Sequence, residues 1–307
     1  MKMTKIAAAI SFSLVAGTAM AAEPSVDVYG SLRLALTNDD SVGATSSENK
    51  FSRFGVKSSV DLGNGLTGLA RFEYGLTPEQ KAAAGTRLAF IGIKGDFGTV
   101  THGSQGTIYQ KYVRGPYFSN SSDSLRPFTS RQDGITQYAT KGDNYTFMAA
   151  VQTEGKDGAD IDSYSVGGDF NAGDLKIQAA AVFDNEGEDK GTLLGARAWY
   201  SIDAVKLSAF VDLASEDFNT KTSNICGGES TTIVGAYASY KTGAHQFHGR
   251  VASNDCDDSG DLQSVKGEYV NYLSKNMRVW ASVESVDTVR DEGEAKLISE
   301  LGVRYDF

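Results

Sequence analysis

The stretch Lys296–Phe307, KLISELGVRYDF, alternates to the last residue: Leu301, Val303, Tyr305 and Phe307 form one stripe, and Glu300, Arg304 and Asp306 the other. A period of two is the pattern of a β-strand with one oily and one wet face. Chain ends normally fray, so a strand that runs into the terminal aromatic needs a partner to hold it. A sheet closed on itself supplies one, because the last strand then pairs with the first. Tyr305 and Phe307 are therefore the residues expected to seat that closing strand during assembly.

The same split recurs upstream. In SVDVYGSLRLAL (residues 25–36), Val28, Gly30, Leu32, Leu34 and Leu36 oppose Asp27, Tyr29, Ser31 and Arg33. In LTGLARFEYGL (66–76), Gly68, Ala70, Phe72 and Tyr74 oppose Thr67, Arg71 and Glu73. LKIQAAAVF, VKLSAFVDL and MRVWASVE repeat it, with Lys176, Lys206 and Arg278 on their polar sides. Alternation over segments of about ten residues is the signature of transmembrane β-strands. A soluble sandwich also alternates, but its buried face is richer in large aliphatics than this Ala-, Gly- and aromatic-rich one.

The connectors alternate as well. Short turns such as DLGNGL, KGDFG, FNAGD and KTGA carry hairpin chemistry, and between them fall eight longer, more polar loops. Eight long loops imply about sixteen strands: an all-β, antiparallel, transmembrane barrel. One loop stands apart. From Gly106 to Asp133 the alternation stops and Lys111, Arg114, Asp123, Arg126, Arg131 and Asp133 sit among aromatics and serines. Structureless stretches this long are usually functional, and this third external loop is expected to fold into the barrel and narrow its bore.

Lys2, Lys5, an apolar run from Ile6 and the ending Ala19-Met20-Ala21 have the layout of a cleaved signal peptide, giving residues 1–21 as leader and 22–307 as a single barrel domain. Removing the two leader lysines takes the formal charge from −10 to −12, which argues against a nucleic-acid partner. Cys226 and Cys256, both in polar turn-rich stretches, are expected to pair as a disulfide between neighbouring external loops of an exported protein.

Several motifs fail on context. Gly63-Asn64-Gly65-Leu66-Thr67-Gly68 fits a dinucleotide fingerprint by letter, but the residues after it keep the strand period, so the glycines belong to a hairpin turn. His245 and His248, three apart, fall on opposite strand faces. Asp255, Asp257, Ser259 and Gly260 begin like a calcium loop, yet Lys266 stands where a bidentate Glu is required. The aspartates Asp255, Asp257, Asp258 and Asp261 leave open a divalent-ion bridge to lipopolysaccharide. No catalytic motif, metal site or cofactor site is expected, and no enzyme activity.

At this point VDVYGSLRL, FSRFGVKSSVDLGNGL, TRLAFIGIKGDFGTVTHGSQ, SRQDGITQYAT and LGVRYDF together resemble the general porins of Gram-negative outer membranes, in that family's order over most of the chain. The resemblance implies a homotrimer of barrels in outer-membrane lipid and lipopolysaccharide, each passing small hydrophilic solutes and ions by passive diffusion past an inward-folded third loop. It also implies a ladder of arginines facing acids on that loop. By motif Arg53, Arg87 and Arg131 correspond to the ladder, and strand parity adds Arg33 and Arg71. Where the family's loop carries an acidic turn, Pro116-Tyr117-Phe118-Ser119-Asn120 has no acid, leaving Asp123 and Asp133. Two alternatives stand beside a general porin: a substrate-specific channel, for oligosaccharides for example, with Tyr109, Tyr112, Tyr117, Phe118 and Phe128 as stacking groups, and a structural or adhesive barrel with a closed bore.

Overall fold

A computed structural model describes residues 23–80, 82–114, 117–119, 130–155, 160–185, 190–218, 226, 229–287 and 294–307. The expected leader, with Asp123, Arg126 and Phe128, lies outside them. The alternating stretches become β1 (Ser25–Asp39), β2 (Ala44–Asn49), β3 (Arg53–Gly63), β4 (Leu66–Thr77), β5 (Ala82–Gly95) and β6 (Gly98–Gly106). They continue as β7 (Arg131–Lys141), β8 (Tyr145–Gln152), β9 (Ser163–Ala172), β10 (Leu175–Asp184), β11 (Thr192–Ile202) and β12 (Val205–Ala214). The last five are β13 (Thr231–Thr242), β14 (His245–Cys256), β15 (Gly260–Tyr272), β16 (Met277–Asp287) and β17 (Ala295–Asp306).

Every neighbouring pair is antiparallel, and β17 returns to β1 with Leu32 opposite Tyr305 and Leu36 opposite Leu301. The wall has sixteen positions although there are seventeen strand segments, because β2 and β3 are one strand interrupted. The upper half of β1 pairs with β2 and its lower half with β3. At the break Phe51 takes φ 66°, the left-handed region, where a bulky side chain is strained by roughly 1–3 kcal/mol. Asn49 and Ser52 hold the break: Ser52 N–H donates to Asn49 Oδ1 at 2.9 Å, and Arg33 N–H donates to Ser52 Oγ at 2.8 Å. Both described chain ends and the seven short turns lie at one end of the barrel, the long loops at the other. The first short turn shows why glycine is needed: Gly63, Asn64 and Gly65 all have positive φ, as a tight hairpin requires.

Burial decides which face is oily. Phe72 is 44% exposed while Glu73 is 3% exposed, and Leu207 is 40% exposed while Ser208 is 6% exposed. A soluble sandwich has the opposite arrangement. With apolar groups outward and charged groups inward, this wall suits hydrocarbon outside and water inside. Near the short turns Tyr138, Tyr145, Tyr200, Tyr240, Tyr305 and Phe307 face outward, an aromatic girdle of the kind found at a membrane interface. No helix among the described residues is long and apolar enough to cross a membrane.

Cys226 is bonded to Cys256, with Cα atoms 5.6 Å apart. The bridge ties the loop after β12 to the last residue of β14, as the cysteine positions predict.

Candidate functional site

Not all of the inner face is wet. Parity places Met148, Val182, Leu193 and Phe210 on it, and these apolar side chains would face lumen water if nothing covered them. The connector after β6 covers them. Its opening residues and short helical turn, Gln110–Arg114, lay Ile108, Tyr109, Tyr112 and Val113 onto Met148, Val182 and Leu193, all four fully buried or nearly so, while Tyr117 covers Phe210. Burying each tyrosine or aliphatic side chain contributes about 1.5–3 kcal/mol, more than enough to offset the ordering of a few loop residues. Polar contacts fix the register. Tyr109 OH donates to Asp212 of β12, Tyr112 OH pairs with Thr146 Oγ1 at 2.9 Å, and Arg197 Nη2 donates to the Tyr112 carbonyl at 3.1 Å. Gly167 and Gly195 leave the room: a Cβ on Gly195 would come within 2.8 Å of Tyr109, Val113 and Asp212.

Further on, Tyr117 packs among Trp199, Phe210 and Tyr237 with ring centroids 4.5 to 5.7 Å away. Ser119 N–H then donates to both carboxylate oxygens of Glu268 on β15, at 3.0 and 3.1 Å. Glu268 stands beside Lys266, which binds Glu284 at 2.9 Å, and Glu284 accepts from Arg250 at 3.2 Å. The connector thus runs along the inner wall from β6 to β15, and a loop at membrane depth is tolerated because it is buried in protein or lines water.

The space left is a cavity of about 770 Å³. Arg33, Arg53, Arg71, Arg87 and Arg131 all line it, joined by Arg278, Arg304 and Lys206. Glu73 is the single carboxylate among the described lining residues. It sits between three of the arginines: Arg87 Nε is 2.8 Å, Arg71 Nη2 3.3 Å and Arg53 Nε 3.7 Å from its oxygens. Tyr29 OH donates to it at 2.9 Å and accepts from Arg71 Nε at 2.7 Å. One negative charge therefore fixes three guanidinium groups and leaves two net positive charges among the four. The opposite wall is aromatic, with Trp199, Tyr237 and Tyr272 behind Tyr117 and Phe118 of the loop, and Phe51 projects in from the strand break. Cations lie over these rings: Lys206 Nζ is 4.4 Å from the Trp199 ring centre, and Arg278 is 5.6 Å from that of Tyr272.

The structure thus brings the five expected wall arginines to one cavity and does not bring every expected loop residue there. Lys111 lies over the Tyr112 ring, 5.4 Å from its centre, and is not among the lining residues. Asp133 is exposed near the start of β7, its carbonyl accepting from Gln152 Nε2 at 3.3 Å, and does not line the cavity either. Arg114 closes the helical turn, its side chain outside the described set. Glu73, Lys206, Arg278 and Arg304 are functional candidates that the sequence reading did not single out as a site. Parity alone put Glu73 on the wet side between Arg71 and the expected ladder. Among the described residues no group of three or more His, Cys, Asp or Glu is placed to hold a metal ion, the aspartates near Asp255 included.

Residues 7–291 match the family model described as Gram-negative porin. The chain is 26% identical over 255 residues to the major outer membrane protein P.IB of Neisseria gonorrhoeae, covering 71% of this chain and 73% of that one. It is 24% identical to the outer membrane porin PhoE of Enterobacter cloacae, covering 92% and 91%. It is 23% identical to a monosaccharide porin of a Halomonas species over the full length of both. Among solved structures, the anion-selective porin from Comamonas acidovorans superposes with a TM-score of 0.74 at 18% identity, covering 93% of this chain and all of that one. The trimer form of OmpT from Vibrio cholerae gives 0.71 at 16% identity, covering 92% and 99%.

Proposed function

The chain belongs to the family of Gram-negative porins, and from that premise we propose that its bore favours anions over cations at the constriction formed by the arginine wall and the third loop. As a porin it is an outer-membrane channel through which small hydrophilic solutes diffuse passively, and the family points to a channel rather than an enzyme. The observation that carries the anion preference is the lining of the cavity, seven arginines and a lysine against Glu73, an excess that survives the pairing of Arg304 and Arg278 with Asp306 behind them at 2.8 and 3.7 Å. Charge at the narrowing governs selectivity in a wet pore, so the formal charge of −10 over the whole chain does not decide the sign. The wall roles belong to Arg33, Arg53, Arg71, Arg87 and Arg131, with Glu73 holding three of them in place. In the same reading the leader (residues 1–21) is cleaved on export, and the barrel assembles as a homotrimer, a reading supported by the trimer form of the OmpT structure. The partners are outer-membrane lipid and lipopolysaccharide.

The test is the reversal potential of reconstituted channels in a potassium chloride gradient. An anion-selective potential that shifts toward cations when Arg53, Arg87 and Arg131 are changed to Gln supports the assignment. A potential that is cation-selective, or unmoved by the triple change, rejects it. A second reading, a channel with preference for a sugar class, is favoured by the aromatic wall of Trp199, Tyr237 and Tyr272. Open-channel block by one class of sugar distinguishes it from unselective diffusion.

A further inference from the structure

Charge in this barrel is sorted along the axis, and the sorting goes beyond the constriction. At the long-loop end, the third connector aside, the described residues of the connectors and strand tips carry seventeen carboxylates against three basic side chains, Lys50, Lys190 and Lys296. They are spread around the rim rather than gathered at one site: Asp39 and Asp40 beside β17, Glu154 and Asp160 between β8 and β9, Glu216 and Asp217 after β12, and Asp255, Asp257 and Asp258 at the β14–β15 turn. The third connector, which leaves this rim for the lumen, has Lys111, Arg114 and Arg131 beside one acid, Asp133, among its described residues.

Below the rim the sign reverses. Beyond the cavity arginines, the inner face toward the short turns carries two paired lysines, Lys57 with Asp27 at 3.4 Å and Lys176 with Asp169 at 2.9 Å, and four more, Lys94 on β5, Lys141 on β7, Lys206 on β12 and Lys241 on β13, each at or near the turn of its own hairpin. Lys94, Lys141, Lys206 and Lys241 have no ion pair among the described residues. Lys206 and Lys241 rest over the rings of Trp199 and Tyr272 instead, at 4.4 and 4.7 Å. Aspartates 96, 143, 174 and 203 sit in the turns themselves and bound this positive zone from below.

We infer that the channel rectifies: a negative mouth in series with a positive bore passes more current when the long-loop side is electrically positive than when it is negative. The reason is ion supply at the junction of the two zones. With the loop side positive, cations gathered by the acidic mouth are driven toward the junction while anions gathered by the basic bore are driven to meet them, so carriers accumulate there. With the polarity reversed both are drawn away and the junction is depleted. The inference rests on the porin reading but not on the identity of any solute. It requires the field of wall charges to reach across the bore, which it does at low salt, where the screening length is about 30 Å at 0.01 M, and does not at 1 M, where it is about 3 Å.

The experiment is single-channel current–voltage measurement in symmetric potassium chloride at 0.01, 0.1 and 1 M. The loop side is identified by Ser41→Cys and a membrane-impermeant cationic thiol reagent applied to one compartment at a time. Expected is a current ratio on the order of twofold at 0.01 M in favour of a positive loop side, falling to about one at 1 M. Acidifying only the loop-side compartment to about pH 3, below the ordinary carboxylate range, should abolish the asymmetry without any substitution. The combined change Asp255→Asn, Asp257→Asn and Asp258→Asn should weaken it while the anion preference persists. A symmetric or opposite-handed curve at 0.01 M overturns the inference even if the channel is anion-selective. Cation selectivity overturns the anion preference of the bore, and absence of channels overturns the channel reading on which the inference rests.

Discussion

Changing Glu73 to Gln removes the one carboxylate among the described cavity-lining residues and keeps its shape. The three guanidinium groups within 2.8 to 3.7 Å then face the lumen with no counter-charge. For an ion passing about 7 Å away in water, one elementary charge is worth about 0.6 kcal/mol. At 0.1 M salt, with a screening length of about 10 Å, roughly half remains, about 0.3 kcal/mol. Anions gain that amount and cations lose it, so the anion-to-cation permeability ratio should rise about threefold. Arg87→Gln removes a positive charge from the same cluster and should lower the ratio by a similar factor. The double variant restores the local sum and should return the ratio close to that of the unaltered channel, a cycle that separates charge from shape. The assay is the reversal potential across a tenfold potassium chloride gradient, with folding checked by heat-dependent mobility in detergent gels. An unchanged ratio for Glu73→Gln in a folded channel, or a double variant no closer to the original than either single one, would refute the reasoning.

Other outcomes follow from the docking of the third loop and the bridge outside it. Gly195→Ala places a methyl group within 2.8 Å of Tyr109 and Val113, so it should cost about 1–3 kcal/mol and give channels of heterogeneous conductance in bilayer recordings. Glu268→Ala removes the acceptor of Ser119 N–H at the far end of the loop and should increase open-channel noise with little change in unfolding temperature. Reducing the Cys226–Cys256 bridge, which closes a loop with a sequence separation of 30, should cost at most about 3–4 kcal/mol in heat-unfolding measurements and leave conductance unchanged.

Much of the architecture was legible because a barrel in hydrocarbon writes its two faces into the period. Val28, Phe72, Leu207 and Leu301 all point outward, as alternation requires. Less legible was the part where one face serves two solvents. Phe210 and Trp280 share parity with Asp212 and Glu284, so a polar-lumen rule passes over them; they are apolar because loop or wall side chains, rather than water, cover them. The interruption of the second strand was hidden too, since Phe51 carries no signal for a left-handed backbone. The arginine wall emerged from motif and parity. Its counter-charge did not, because Glu73 stands two residues from Arg71 on the same strand face, where alternation marks it as one more polar lumen residue, and not on the loop.

The glycines beneath the loop give the channel two independent adjustments. In the proposed reading its electrical preference is set on one side, the arginine wall, by side chains of β1, β3, β4, β5 and β7. Its width is set on the other, by how closely the loop can lie against Gly167 and Gly195, where a single added methyl lifts it off the wall. Descendants of this sequence could therefore change the size of what they admit without altering its sign, or the reverse.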